Sequence, residues 1–358
     1  MKKRVLLGMS GGVDSSVSAI LLQKEGYEVI GCTMRLWELG DNGEESACCG
    51  SQAIQEAKRV CAQLGIPHYT INCKKEFKEK VVDNFIKEYK EARTPNPCVE
   101  CNRYLKFGHF YQKAKELECD AIATGHYASI EFSDKYQQYV LEKSKEERKD
   151  QTYFLYTIPR EILEHIMFPL KNYSDKKEIR KIAEENGLLV AQKKDSQEIC
   201  FVPDNNYQGF LRKYGNYKNE KGKIVLQDGK VLGEHQGLIY YTIGQRKGLG
   251  IAYQEPLYVL KLNKEKNEVI VGTEKELYQK ELKARELNWM VFDKLEEPLK
   301  CKAKIRYRSK EADCIVYPEE GNKVKVKFDT EQRAITPGQS VVFYNEDDVV
   351  LGGGKIYF

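Results

Sequence analysis

The chain opens with an apolar run, "RVLLGM", that stops at a glycine- and serine-rich turn, "SGGVDSS", and Val17 to Lys24 behind it reads as a helix stopped at Gly26. A strand that passes through a glycine turn into a helix points to parallel pairing, because the helix carries the chain back across the sheet before the next strand starts. The same grammar repeats. "YEVIGCTM" is a second strand. Ser51 to Leu64 carries Ile54, Ala57, Cys61 and Leu64 at helical steps and closes at Gly65 and Pro67. "HYTINC" follows as a strand, then a helix with Phe77, Val81, Phe85 and Tyr89 on one face. Phe107, Phe110, Ala114 and Leu117 mark another helix before the strand "CDAIATGHY". Continuous apolar strands alternating with amphipathic helices predict an α/β domain, a parallel sheet covered on both faces, with ligands bound beyond the carboxyl ends of its strands.

From about Tyr207 the pattern changes. "GKIVLQDGKVLG" turns at Asp228-Gly229, and "LYVLKLNKEKNEVIVG" is a second hairpin. After about Glu281, "CKAKIRYRS", "DCIVYPE", "KVKVKFD" and "SVVFYNE" alternate with period two between turns, which predicts a small antiparallel barrel. The expected division is 1–205 for an ATP-binding catalytic domain, 206–280 for a small β-rich central domain and 281–358 for a C-terminal β-barrel.

Hydrophobic residues at 41% and charged residues at 31% of 358 describe a globular chain. No apolar run of about 18 residues is present, so no membrane span is expected. "MKKRVLLGMSGG" lacks the features of a signal or transit peptide, which makes a cytoplasmic location the expectation. A net charge of +4 neither demands nor excludes nucleic acid. The eleven cysteines are too irregularly spaced for a disulfide framework; Cys32, Cys61, Cys73, Cys119, Cys301 and Cys314 read as small core residues.

Two stretches carry chemistry. In "GMSGGVDSS", Gly8 to Ser16, glycines let backbone N–H groups approach an anion, a helix N-terminus adds partial positive charge, and Ser10, Ser15 and Ser16 add hydroxyls. The loop lacks the lysine of a Walker loop and the spacing of a dinucleotide fingerprint. In "TPNPCVECN", Cys98 and Cys101 sit three apart behind two prolines, which argue against regular structure there. That spacing suits zinc, a redox pair, one nucleophilic thiolate or iron–sulfur ligands.

S-G-G-x-D-S after a first strand resembles the PP-loop of the ATP pyrophosphatases, which implies ATP, with Asp14 orienting phosphate-bound Mg²⁺. With "TPNPCVECN", "ATGHYA", "KDQTYFL", "DSQEICF", "YTIGQRKGLGI", "RYR", "TPGQSVVFY" and "LGGGKI" in this order, the chain resembles the bacterial tRNA-specific 2-thiouridylase family (MnmA/TrmU) from about Arg4 to Ile356. The resemblance implies adenylation of O2 of the wobble uridine in tRNAs for Lys, Glu and Gln, followed by sulfur transfer to C2. It places ATP at Gly8, Met9, Ser10, Gly11, Gly12, Val13, Asp14, Ser15, Met34 and Gly125. The target base falls at Asn96, Pro97 and Cys98, and tRNA at His126, Lys149, Asp150, Gln151, Arg306, Tyr307 and Gln339. Cys101 matches the nucleophile and Cys200 the cysteine that carries persulfide sulfur, with a cysteine desulfurase or sulfur-relay protein as donor.

Many members of that family carry Asp at the position of Cys98. With Cys98, Cys101 and Cys200 all thiols, three thiolates suit a [4Fe–4S] cluster with one open iron, which would hold the sulfur in place of a Cys200 persulfide. Cys48 and Cys49 form a further pair, read as having no role. Other readings remain at this stage. His126 at a strand end suits a structural histidine, Lys149 follows a charge run, and Arg306, Tyr307 and Arg308 could simply alternate along a strand. An amide-forming synthetase would also use a PP-loop, without needing Cys101 and Cys200.

Overall fold

The computed structural model of the chain describes residues 2–39, 44–45, 50–145, 149–192 and 199–358. Cys48, Cys49 and the first four residues of "DSQEICF" lie outside them. The chain divides into two compact units: Met1–Val82 with Pro97–Asn205 and Asp347–Val350, and Asp83–Asn96 with Asn206–Glu346 and Leu351–Phe358.

The first unit holds a five-stranded sheet in the order His68–Asn72, Glu28–Arg35, Arg4–Gly8, Ala121–Ala123, Ile166–Met167, every neighbouring pair parallel. Arg4–Gly8 is central, and its Val5, Leu6 and Leu7 are wholly buried, as an unbroken apolar run requires. The first helix, Val13–Lys24, buries Ser15, Ser16 and Ser18 beside Val17, Ile20 and Leu22. Those serines are tolerated because each hydroxyl bonds back to a carbonyl: Ser15 and Ser16 donate to Gly12 O (3.1 and 2.9 Å) and Ser18 to Asp14 O (2.8 Å). Ser51–Gln63 packs Ala53, Ala57, Val60 and Cys61 inward.

"TPNPCVECN" departs from its sequence expectation. Helix begins at Pro97, where a missing N–H costs nothing because first-turn donors have no intrahelical partner. Pro97–Glu100 leads into a wider π-helical stretch, Cys101–His109, and then into Phe110–Glu116. Cys98 and Cys101 are therefore helical residues.

In the second unit the two expected hairpins, Gly222–Leu226 with Val231–His235 and Tyr258–Asn263 with Glu268–Gly272, merge into one four-stranded sheet. Parallel pairing of Gly222–Leu226 with Glu268–Gly272 joins them, a contact that hairpin signals do not reveal. The barrel is closed, in the order Tyr278–Trp289, Lys323–Arg333, Ala312–Glu319, Leu299–Lys304, Ser340–Tyr344, Val350–Tyr357. "RYRS" is not strand: Leu299–Lys304 ends before it, and the Ser309 hydroxyl accepts from Arg306 N (3.1 Å) while Ser309 N donates to Arg306 O (3.1 Å), closing a turn.

Candidate active site

The glycine loop lies where a parallel sheet binds ligands, beyond the carboxyl end of its central strand. Met9 N donates to Cys32 O (2.8 Å) and Met9 O accepts from Thr33 Oγ1 (2.8 Å), tying the loop to the neighbouring strand. Ser10 stays exposed, with its N–H on Ser15 Oγ and its hydroxyl 3.2 Å from the same atom. Gly11 holds φ +70°, and a Cβ there would lie 2.6 Å from Ala53 O. Gly125 closes the loop from the far side, since a Cβ on it would stand 3.0 Å from Asp14 C and Ser15 N. Gly8 and Gly12 are partly exposed, Val13 is buried in the core, and Met34 is half-buried near the end of the second strand.

The Asp14 carboxylate is held on both oxygens. Tyr127 donates its hydroxyl to Oδ1 (2.9 Å), and the Lys176 ammonium lies 2.7 Å from Oδ2. Neither partner stands out from sequence. Tyr127 lies inside "ATGHYA" but carries no distinguishing signal, and Lys176 opens a helix, Lys176–Glu185, 162 residues beyond Asp14.

Tyr127 also gathers the "KDQTYFL" segment. Its N–H donates to Gln151 Oε1 (2.9 Å), its carbonyl accepts from Gln151 N (2.9 Å), and Lys149 Nζ stands 5.6 Å from its ring centroid. Asp150 points inward, 3% exposed, accepting from Ser144 N (3.2 Å) and Thr152 Oγ1 (2.6 Å). His126 is also enclosed: Lys106 Nζ is 3.2 Å from Nε2 and Thr124 Oγ1 2.7 Å from Nδ1. An ammonium only donates, so Nε2 accepts and the ring proton sits on Nδ1. Burial, reinforced by the Lys106 charge, holds His126 well below its usual 6.5. The unfolded chain therefore takes up a proton near pH 6.5 that the folded chain refuses. Stability is complete above that value and is lost as pH falls toward the folded pKa, by up to about 1.4 kcal/mol for each pH unit. Urea midpoints of the full chain are expected to fall between about pH 7 and about pH 5.5, and His126→Asn to flatten that slope. His68 and His235, also held low by burial, supply the remainder.

The cysteines separate by environment. Burial pushes Cys32 and Cys73 up to about 12 and Cys61 and Cys119 up to about 11, so these thiols stay protonated and inert at neutral pH. Cys98 is exposed, Cys101 is 8% exposed at the head of the π-helical stretch, and Cys200 is half-buried. Cys200 is anchored by Phe201, whose ring meets Phe77 edge-on at 5.5 Å. All nine described cysteines are free of disulfides. Among the described residues no group of three or more His, Cys, Asp or Glu side chains is placed to hold a metal ion.

In the second unit the chain just ahead of Pro97 is gripped by the barrel turn "TPGQ". Gln339 Nε2 donates to Thr94 O (3.0 Å) and Pro95 O (3.2 Å), and Thr94 N donates to Pro337 O (3.0 Å). Asn96 is half-buried and Pro97 buried. Arg306 turns its guanidinium onto Ala334 O, Thr336 Oγ1 and Ile243 O. Tyr307, half-buried beside it, carries Lys304 Nζ 5.7 Å from its ring centroid.

Comparison with known proteins agrees with this layout. The pattern of the family described as tRNA methyl transferase HUP domain matches residues 3–204, that of the tRNA methyl transferase PRC-barrel domain 208–273, and that of the aminomethyltransferase beta-barrel domain 279–356. Curated relatives match from end to end. The tRNA-specific 2-thiouridylase MnmA of Acetivibrio thermocellus is 51% identical over 358 residues, covering 99% of each chain. Those of Halothermothrix orenii and Clostridioides difficile are 51% and 48% identical, each covering 99% of this chain and 98% of their own. The domain descriptions speak of methyl transfer and the relatives of thiouridine; the relatives carry more weight, because they share about half of all positions along the entire length. The chain belongs to the tRNA-specific 2-thiouridylase (MnmA) family.

Proposed function

We propose that the protein is an ATP-dependent tRNA 2-thiouridine synthase acting on the wobble uridine of tRNAs for Lys, Glu and Gln. The observation that carries the reading is one compact unit holding both a glycine loop at a strand's carboxyl end and the cysteines Cys101 and Cys200. A ring carbonyl oxygen cannot leave unaided. Mg-ATP bound at Gly8 to Ser15, Met34 and Gly125 would adenylate uracil O2 and release pyrophosphate, making AMP the leaving group. The terminal sulfur of a Cys200 persulfide then attacks C2 and AMP departs. Attack by the Cys101 thiolate on Cys200 Sγ frees the thiocarbonyl and leaves a Cys101–Cys200 disulfide, which a cellular thiol reduces. A cysteine desulfurase or sulfur-relay protein would reload Cys200. No step is routed through an iron–sulfur cluster.

The target base must leave its stack, at modest cost in an anticodon loop, to reach Asn96, Pro97 and Cys98. Gln339 serves by holding Thr94 and Pro95 in place. Lys149, Gln151, Arg306 and Tyr307 offer cations and polar groups for tRNA, whereas the enclosed His126 and Asp150 hold Lys106 and the segment before Thr152. In this reading 1–205 carries the chemistry, and 206–280 and 281–358 hold the substrate. Pyrophosphate release measured with and without unmodified tRNA tests the proposal. Release that requires tRNA supports it; release that tRNA leaves unchanged would favour an amide-forming synthetase. Among the described residues no helix is long and apolar enough to cross a membrane.

A further inference from the structure

The loop contains no lysine, so from its own residues a bound triphosphate would meet only backbone N–H groups and hydroxyls. In space the structure supplies one. Lys176 is the first residue of Lys176–Glu185, a helix capped by Asp175, whose carboxylate accepts from Lys177 N (2.8 Å). Ile179 and Ala183, both wholly buried, fix that helix against the sheet core. Lys176 is consequently aimed at the loop by rigid structure. Its side chain is only 11% exposed, and its ammonium sits 2.7 Å from Asp14 Oδ2.

We infer that Lys176 is the phosphate-binding cation of this site, held on Asp14 while the nucleotide is absent and passed to the β- and γ-phosphates when Mg-ATP binds. The inference rests on the ATP reading of the loop given above. It follows from charge. If Asp14 turns to the magnesium ion, an ammonium within hydrogen-bonding distance of that carboxylate would face a divalent cation and be repelled. The anion that arrives with the metal is the triphosphate, and the flexible four-carbon stem of a lysine lets its ammonium turn from carboxylate to phosphate. Tyr127, on the other carboxylate oxygen, keeps Asp14 oriented through the exchange. Lys176 then neutralises the departing pyrophosphate, so its effect would appear in adenylation as well as in binding.

Calorimetric titration of the full-length chain with ATP and with AMP, both with magnesium, tests this on Lys176→Met and Lys176→Arg. Lys176→Met is expected to weaken ATP about 10- to 100-fold, the worth of a charge-assisted contact, while AMP affinity changes less than about twofold, because AMP lacks the groups contacted. Lys176→Arg should restore most of the ATP affinity. Equal losses for ATP and AMP, or ATP binding like wild type in Lys176→Met, would overturn the inference while leaving the proposed function standing. If the wild-type chain binds no ATP, the reading of the loop falls and this inference with it.

Discussion

Cys101→Ser and Cys200→Ser are each expected to lower tRNA thiolation by more than about a thousandfold while leaving tRNA-dependent pyrophosphate release intact. A serine hydroxyl stays protonated at neutral pH and cannot carry a persulfide, so sulfur transfer stops. In the proposed mechanism adenylation uses the loop around Ser10 and Asp14 and needs no thiol. Cys200→Ser should therefore release pyrophosphate and accumulate adenylated tRNA, whereas Cys101→Ser should release pyrophosphate and AMP and leave tRNA joined to Cys200 through a disulfide, a split that general unfolding would not produce. Retained thiolation in either variant removes that cysteine from the chemistry. The same logic addresses Cys98. If the thiols are persulfide carrier and nucleophile, anaerobically reconstituted protein should thiolate without bound iron. About four iron and four sulfide per chain, lost in Cys98→Ser together with activity, would restore the cluster.

Gly11→Ala carries the second large effect. An alanine at φ +70° pays about 1–2 kcal/mol for its backbone, and its Cβ would overlap Ala53 O, at 2.6 Å. Backbone cannot rotate aside as a side-chain end can, so the loop or the start of Ser51–Gln63 must shift. A displacement near 1 Å at reacting phosphates costs about a hundredfold in rate. ATP-dependent adenylation is expected to fall by at least that factor, with a stability loss of about 2–4 kcal/mol in urea unfolding. Gly12→Ala is the control. Its φ is −104°, and the nearest atom to its Cβ is Ser10 Oγ at 3.3 Å, the movable end of a side chain, so it should be far milder. Equal effects from the two would contradict the loop geometry.

Much of this was legible in the sequence because it is local. "RVLLGM" before "SGGVDSS" announces a buried strand feeding a helix, and Asp228-Gly229 between alternating runs announces a hairpin. Pairwise spatial facts were not legible. Nothing near Lys176 in the sequence marks it as the partner of Asp14, because the contact exists only once the fold brings two helix starts together. The grip of Gln339 on Thr94 and Pro95 has the same origin. Two prolines ahead of Cys98 misled by a different route: proline breaks a helix from inside, yet Pro97 sits at the first turn, where it starts one. Arg306 and Tyr307 kept the alternation of the strand before them, and only the Ser309 hydroxyl, closing a turn, shows that the strand has ended.

The most direct test of the whole account is nucleoside analysis of unmodified tRNA for Lys, Glu or Gln after incubation with the protein, Mg-ATP and a persulfide donor, with AMP and pyrophosphate counted alongside. The expected product is 2-thiouridine at the wobble position, with one AMP and one pyrophosphate formed for each sulfur incorporated. Pyrophosphate formed without any thiouridine from the wild-type protein, or thiouridine formed without ATP, would contradict it.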